Sequence, residues 1–197
     1  MIRSRLLGVW DQFFGPGASA AENAGSVIIG LVAAGVAWVE LGFSMPGAST
    51  LQHVVAAALA LELVAGTWTN ATPSARRWHH RAGQGRIEHL GFSVAHVHPF
   101  IVAGLFEDCT LQWAAMLYVT VAVGTMGLSL VPTRLRTAAA LVLIAAALGA
   151  EAWLAGEVLR WFAPAYLLKL LAAHLLPEIP GESGSDTDRE MSSGRAG

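Results

Sequence analysis

The chain has 197 residues, 54% of them hydrophobic and 13% charged, with a net charge of −2 and a mean hydropathy of +0.53. Soluble domains carry about a quarter charged residues, so the composition speaks against a water-soluble domain. A single cysteine, Cys109, excludes an intramolecular disulfide and a Cys-x-x-Cys redox pair.

Residues 1–17 begin MIRSRLLGVWDQFF, with Ile2, Leu6, Trp10 and Phe13/Phe14 near one helical face and Arg3, Arg5 and Asp11 among them. The pattern predicts a short amphipathic helix lying in a membrane interface. Ala18-Ser19-Ala20 resembles a signal-peptide cleavage site, but Asp11 and Gln12 interrupt the apolar region before it.

Residues 18–177 read as an all-α, multi-pass transmembrane bundle of about six spans, at 24–45, 51–71, 89–106, 110–131, 136–156 and 158–177. Each segment is close to the length that crosses roughly 30 Å of hydrocarbon, and none shows the polar stripe of a soluble bundle helix. The connections alternate in sign. Arg3 and Arg5 precede the first span, and the loop around Pro46 carries no charge. Arg76, Arg77, Arg81 and Arg86 follow the second span, Glu107 and Asp108 the third, and Arg134 and Arg136 the fourth. The positive-inside rule then places the N-terminus and the second and fourth loops in the cytoplasm. In the sixth segment Pro164, Arg160 and Lys169 weaken the pattern, so it spans or lies partly in the interface. Residues 178–197 are expected to form a disordered acidic tail. Small pairs such as Gly30/Ala34 and Ala56/Ala60 suit close helix packing.

Function is sought among the ionisable side chains inside the spans, because a charge at the bilayer centre costs about 3 kcal/mol. Glu62, His96, His98 and Lys169 fall near mid-depth. Glu40, His53, Glu151 and Glu157 lie toward the outer side, and Asn70, Glu88, His89 and His174 toward the inner side. In AHVHPF, residues two apart on an unbroken helix point about 200° from each other. Pro99 removes a backbone donor and disfavours helical geometry at His98. A break there aims His96 and His98 into one cavity and frees a carbonyl for a ligand. His89, Ser93 and His96 share a face below it. Glu62 lies on the second span with Thr69 on its face, and Gly66 admits another helix closely. Lys169 is its opposite charge at similar depth. The expected catalytic set is Glu62, His96, His98 and Lys169.

The loop TNATPSARRWHHRAGQGRIEH supplies a headgroup site, with Asn70, Arg76, Arg77, Trp78 and Arg81 as substrate-binding candidates. The same arginines also serve topology alone. His79-His80 and His89 lack the His-x-x-x-His and His-x-x-His-His spacing of membrane di-iron hydroxylases, so that assignment is rejected. A single zinc or iron ion held by His89, His96, His98 or Glu62 is open but not required. Trp68 and Trp113 are pocket-lining candidates among seven tryptophans, most of which suit an interfacial belt.

Three readings follow. One is a membrane-embedded enzyme doing acid/base chemistry on an isoprenoid, sterol-like or acyl lipid, in a cavity open sideways to lipid. A second is a small channel or transporter using the same residues as a proton or ion path, with Glu40, His53 and Glu151 as its vestibule. The third is a non-catalytic subunit or assembly factor whose buried charges only pair helices. Haem ligation by paired histidines is a weaker fourth. The expected partners are membrane lipids and a lipophilic small molecule, not nucleic acid, and the sequence leaves the oligomeric state open.

Overall fold

The computed structural model describes Gly8, residues 11–154 and residues 158–176. Most of the expected interfacial helix, together with Glu157 and the acidic tail, lies outside the described residues; Asp11–Phe14 are helical.

Two capping boxes set up the first hairpin. Helix α1 (Ala20–Ser44) starts where Ser19 Oγ accepts from the Glu22 amide at 3.1 Å and Glu22 Oε2 accepts from the Ser19 amide at 2.6 Å. Helix α2 (Thr50–Ala71) repeats the device with Ser49 and Gln52. Both boxes satisfy backbone donors that a helix start would otherwise leave bare. The helices run antiparallel along a seam of small residues. A Cβ at Gly30 would lie 2.9 Å from Ala65 Cβ, and one at Gly25 would lie 2.5 Å from the Trp68 ring. Across the same seam Ser26 Oγ and Thr69 Oγ1 are 2.8 Å apart, and Trp68 Nε1 donates to the Glu22 carbonyl at 3.0 Å.

Thr72 caps the short α3 (Pro73–His79), and α4 (Arg86–Ala95) and α5 (His98–Leu105) follow. Both pack on α6 (Leu111–Leu130), which pairs with α7 (Thr133–Glu151). The last element is α8 (Phe162–Leu167), continued as a π-helix over Leu168–Ala173. The described residues contain no strand.

Four helices, α1, α2, α6 and α7, are long and apolar enough to cross a membrane. Their outward faces carry Val32, Val36, Val142 and other large apolar residues more than half exposed. That exterior suits a membrane protein. The other two expected spans take different forms. The third is divided into α4 and α5. The sixth contributes only the twelve-residue apolar stretch Phe162–Ala173, and it sits in the core. It packs against α2, α6 and α7, with Phe162, Tyr166, Leu167, Leu170 and Leu171 fully buried. A helix apolar all round is buried by protein as readily as by lipid, so composition alone does not separate a core helix from a span.

Candidate functional site

The break between α4 and α5 builds the site. His96 ends α4 with φ −85° and ψ 70°, and Pro99 stands in the first turn of α5. The carbonyls that lose their helical partners there are all satisfied. Tyr118 Oη donates to the Val94 carbonyl at 2.8 Å, the Val97 amide to that of Ala95 at 3.0 Å, and Tyr166 Oη to that of His96 at 2.8 Å. The chain has two tyrosines, and both hydroxyls hold this break. Each of the carbonyls at Val94, Ala95 and His96 thus already has a donor from the protein, where the sequence expectation frees one for a ligand. A buried carbonyl without a partner would cost about 1–3 kcal/mol, so the tyrosines fix the break.

The break turns both imidazoles toward Glu62. His96 Nε2 lies 3.6 Å from Glu62 Oε1, His98 Nε2 lies 3.9 Å from Glu62 Oε2, and the two rings meet edge to face at 5.2 Å. Lys169 completes the group from the π-helix. Its Nζ donates to Glu62 Oε1 and to His96 Nε2, the latter at 3.0 Å. His96 Nδ1 is 2.7 Å from the Phe92 carbonyl. A carbonyl only accepts, so Nδ1 carries the ring proton and Nε2 presents its lone pair to the Lys169 ammonium. Glu62, His96, His98 and Lys169, from three separate stretches of chain, converge.

Two local features let Lys169 reach the pair. A Cβ at Gly66 would lie 2.6 Å from Lys169 Cε and 3.0 Å from Nζ, so only glycine leaves room for the stem. The wide turn is closed by the His174 amide donating to the Lys169 carbonyl at 3.1 Å, five residues back. Such turns recur at functional sites. Lys169 is 4% exposed, and a cation so buried needs its partners.

Glu62, His96 and Lys169 stand in a cavity of about 620 Å³ between α1, α2 and α4, within the usual size range of a small-molecule site. Most of its wall is apolar, including Phe13, Phe14, Val27, Leu31, Leu61 and Phe92. Val27, Leu31 and Leu61 are also exposed on the outside of the hairpin, so the cavity opens through the apolar flank of α1 and α2. Glu62 Oε2 has no hydrogen-bond partner, and neither does His98 Nδ1.

The sequence matches no family model, no curated protein and no solved structure.

Asn70 lines the cavity, whereas Arg76, Arg77, Trp78 and Arg81 do not. Arg77 donates to Ser74 Oγ at 3.3 Å, and Arg81 donates to the Trp78 carbonyl and lies over the Trp78 ring at 3.4 Å. Trp68 and Trp113 are not in the wall either. The metal candidates divide: His89 leaves the Glu62 group and joins His79, His80 and His174. His89 Nδ1 is 3.0 Å from His174 Nε2, and His80 Nε2 donates to the His174 carbonyl at 3.2 Å. Burial, reinforced by the neighbouring His89, pushes His79 and His80 down to about 4. Among the described residues no set of three or more His, Cys, Asp or Glu side chains has the geometry to hold a metal ion.

The outer residues do not assemble with one another. Glu151 Oε1 accepts from Trp113 Nε1 at 3.0 Å, and His53 packs on Trp38 at 4.8 Å with Nδ1 3.1 Å from the Ser49 carbonyl. Glu40 Oε2 has no partner. Leu59, Val102 and Phe106 are packed in the buried core near that end.

Several contributors escaped the sequence reading. Tyr118, Tyr166, Phe92 and the His174 contact depend on approaches between elements far apart in the chain. A single sequence gives no sign of them.

Proposed function

We propose that the chain is a multi-pass membrane enzyme that carries out acid/base chemistry on a lipophilic substrate entering sideways from the bilayer. The observation that carries this reading is the division of labour at Glu62. Glu62 lines a largely apolar cavity; one of its carboxylate oxygens is held by Lys169, and the other is buried with no hydrogen bond, His98 Nε2 lying 3.9 Å away. Buried polar atoms without a hydrogen bond are uncommon, and a catalytic role is one of the reasons a protein keeps one. Here Glu62 is the proton-transferring group, Lys169 and His96 fix its orientation, and His98 is the next proton carrier along. General acid/base groups so placed contribute about 10²–10⁴-fold.

Six crossings, with α4 and α5 together making the third and α8 with its π-helix the sixth, and a cytoplasmic N-terminus belong to the same proposal. So does a supporting role for Arg76, Arg77 and Arg81 at the lipid headgroups beside the cavity mouth. Two features favour the enzyme reading over a channel: the opening faces the hairpin flank, and no hydrogen bond joins Glu40, His53 and Glu151 into a vestibule.

The test compares extracted membrane lipids from cells expressing wild-type protein and Glu62→Gln, with folding monitored by detergent melting. The enzyme reading expects a lipid species that accumulates with wild type and is lost with a folded Glu62→Gln. Identical lipid profiles would contradict it.

A further inference from the structure

Four of the seven histidines gather apart from Glu62, where α3 and α4 meet the last helix. His174 is the hub. Its ring centroid lies 5.0 Å from those of His79 and His89, and His80 lies 4.9 Å from His89. His174 is 3% exposed, whereas His79, His80 and His89 are half-buried, and Arg81 and residues 86–88 in the connection between them are exposed. Protons therefore reach three of the rings from water, and the fourth only when the cluster opens.

The packing of these rings suits the uncharged state. His89 Nδ1 faces His174 Nε2 at 3.0 Å, so one of the two nitrogens is bare. Protonating both rings would set two N–H groups against each other. The charges around the cluster add to that resistance. Arg81 faces His79, Arg136 faces His80 and His89, and His96 faces His174 from beyond Phe92. Glu88, fully exposed, is the carboxylate that faces His89. The cluster also borders the cavity, because His79 and Phe92 line it, and the Phe92 ring stacks on His174 at 3.8 Å. The His174 amide closes the wide turn that carries Lys169.

We propose that the four imidazoles form an acid-released latch: uncharged, they tie α3 and α4 to the last helix, and proton uptake from water at that end parts them and loosens the cavity wall built by His79 and Phe92. The latch does not depend on the enzyme reading above. Histidine clusters that change charge between neutral and mildly acidic pH are a recurrent way of switching an interface. A ring harder to protonate closed than open keeps the closed form fully stable above about pH 6.5, the value of a free imidazole, and weakens it as pH falls. Burial holds His79 and His80 at about 4 in the closed form. Each of them therefore raises the opening constant by up to about tenfold between pH 7.5 and 5.5.

The experiment is amide hydrogen exchange of the full chain in phosphatidylcholine nanodiscs at pH 7.5 and 5.5, with each rate corrected for the direct effect of pH on exchange. The latch expects protection of the peptides carrying α3, α4 and His174 to fall about ten- to a hundredfold at the lower pH, while α1 keeps its protection. In His79→Gln with His80→Gln, the new amide at 80 can still donate to the His174 carbonyl but takes no proton. That double variant should be protected at pH 7.5 and lose the step, whereas His53→Gln, remote from the cluster, should keep it. Should the double variant not fold, His79→Gln alone should remove about half of the step on a logarithmic scale. Protection that does not change with pH in the wild-type protein would overturn the latch. So would a full-sized step in a folded glutamine variant, or an equal loss of protection along the whole chain.

Discussion

Gly66 offers a way to disturb Lys169 without touching a charged residue. In Gly66→Ala the new methyl carbon would stand 2.6 Å from Lys169 Cε, where ordinary contacts begin at 3.4 Å. The stem must therefore retreat by about 0.4–0.8 Å, to bring a 2.6 Å approach out to 3.0–3.4 Å. The Lys169–His96 bond is now 3.0 Å, and the same displacement along it would give about 3.4–3.8 Å, at or beyond hydrogen-bond range. Loss of a hydrogen bond to a charged group costs about 1.5–3 kcal/mol. The gain from replacing a mid-helix glycine returns about 0.5–1 kcal/mol, leaving a net loss of about 0.5–2.5 kcal/mol. Gly35→Ala is the internal control, since a Cβ there meets nothing within 4 Å, and it should stabilise slightly. Reversible unfolding in mixed detergent micelles reads both variants. Lys169→Ala should remove the clash, so adding Gly66→Ala to it should cost little more. If Gly66→Ala were as stabilising as Gly35→Ala, Lys169 does not cross α2 at Gly66.

Tyr166→Phe should destabilise by about 1–3 kcal/mol by leaving the His96 carbonyl unpaired, and amide hydrogen exchange should quicken at His96–His98. Exchange unchanged from wild type would show that the hydroxyl does not hold the break. Cys109 is 4% exposed, and its thiol is pushed up to about 11 by burial, with Asp108 and Glu151 adding to it. A water-soluble maleimide at pH 7.5 should therefore label it only after denaturation; rapid labelling of the folded protein would place Cys109 at the surface.

Much of this arrangement was legible from residues alone. Pro99 announces the break, and the break explains how two histidines two positions apart reach one carboxylate. Gly66 announces a close approach, and the structure shows that the approaching group is Lys169. The helix starts read from hydropathy fall late, at 24 and 51 against Ala20 and Thr50, because the capping residues Ser19/Glu22 and Ser49/Gln52 are polar. Hydropathy does not register them, although their spacing does. Less legible was α8. Burial among helices and exposure to lipid select the same side chains, so no pattern in Phe162–Ala173 distinguishes a core helix from a span. The histidine group was invisible for another reason. His174 reaches His89 across 85 residues of chain, and only the packing of the last helix brings it there. Asn70 is a headgroup candidate in the sequence, and only the fold separates it from the neighbouring arginines by setting it in the cavity wall.

The most direct test of the central arrangement is a double-mutant cycle on Glu62→Gln and Lys169→Met, read as unfolding free energy in one detergent system. Side chains in contact couple by about 0.5–3 kcal/mol, whereas distant ones add within about 0.3–0.5 kcal/mol. The arrangement predicts a coupling near the upper end, with the double variant more stable than Lys169→Met alone, because that single change strands a carboxylate beside His96 and His98. Effects that simply add would mean that these two side chains do not meet, and the site would have to be sought elsewhere.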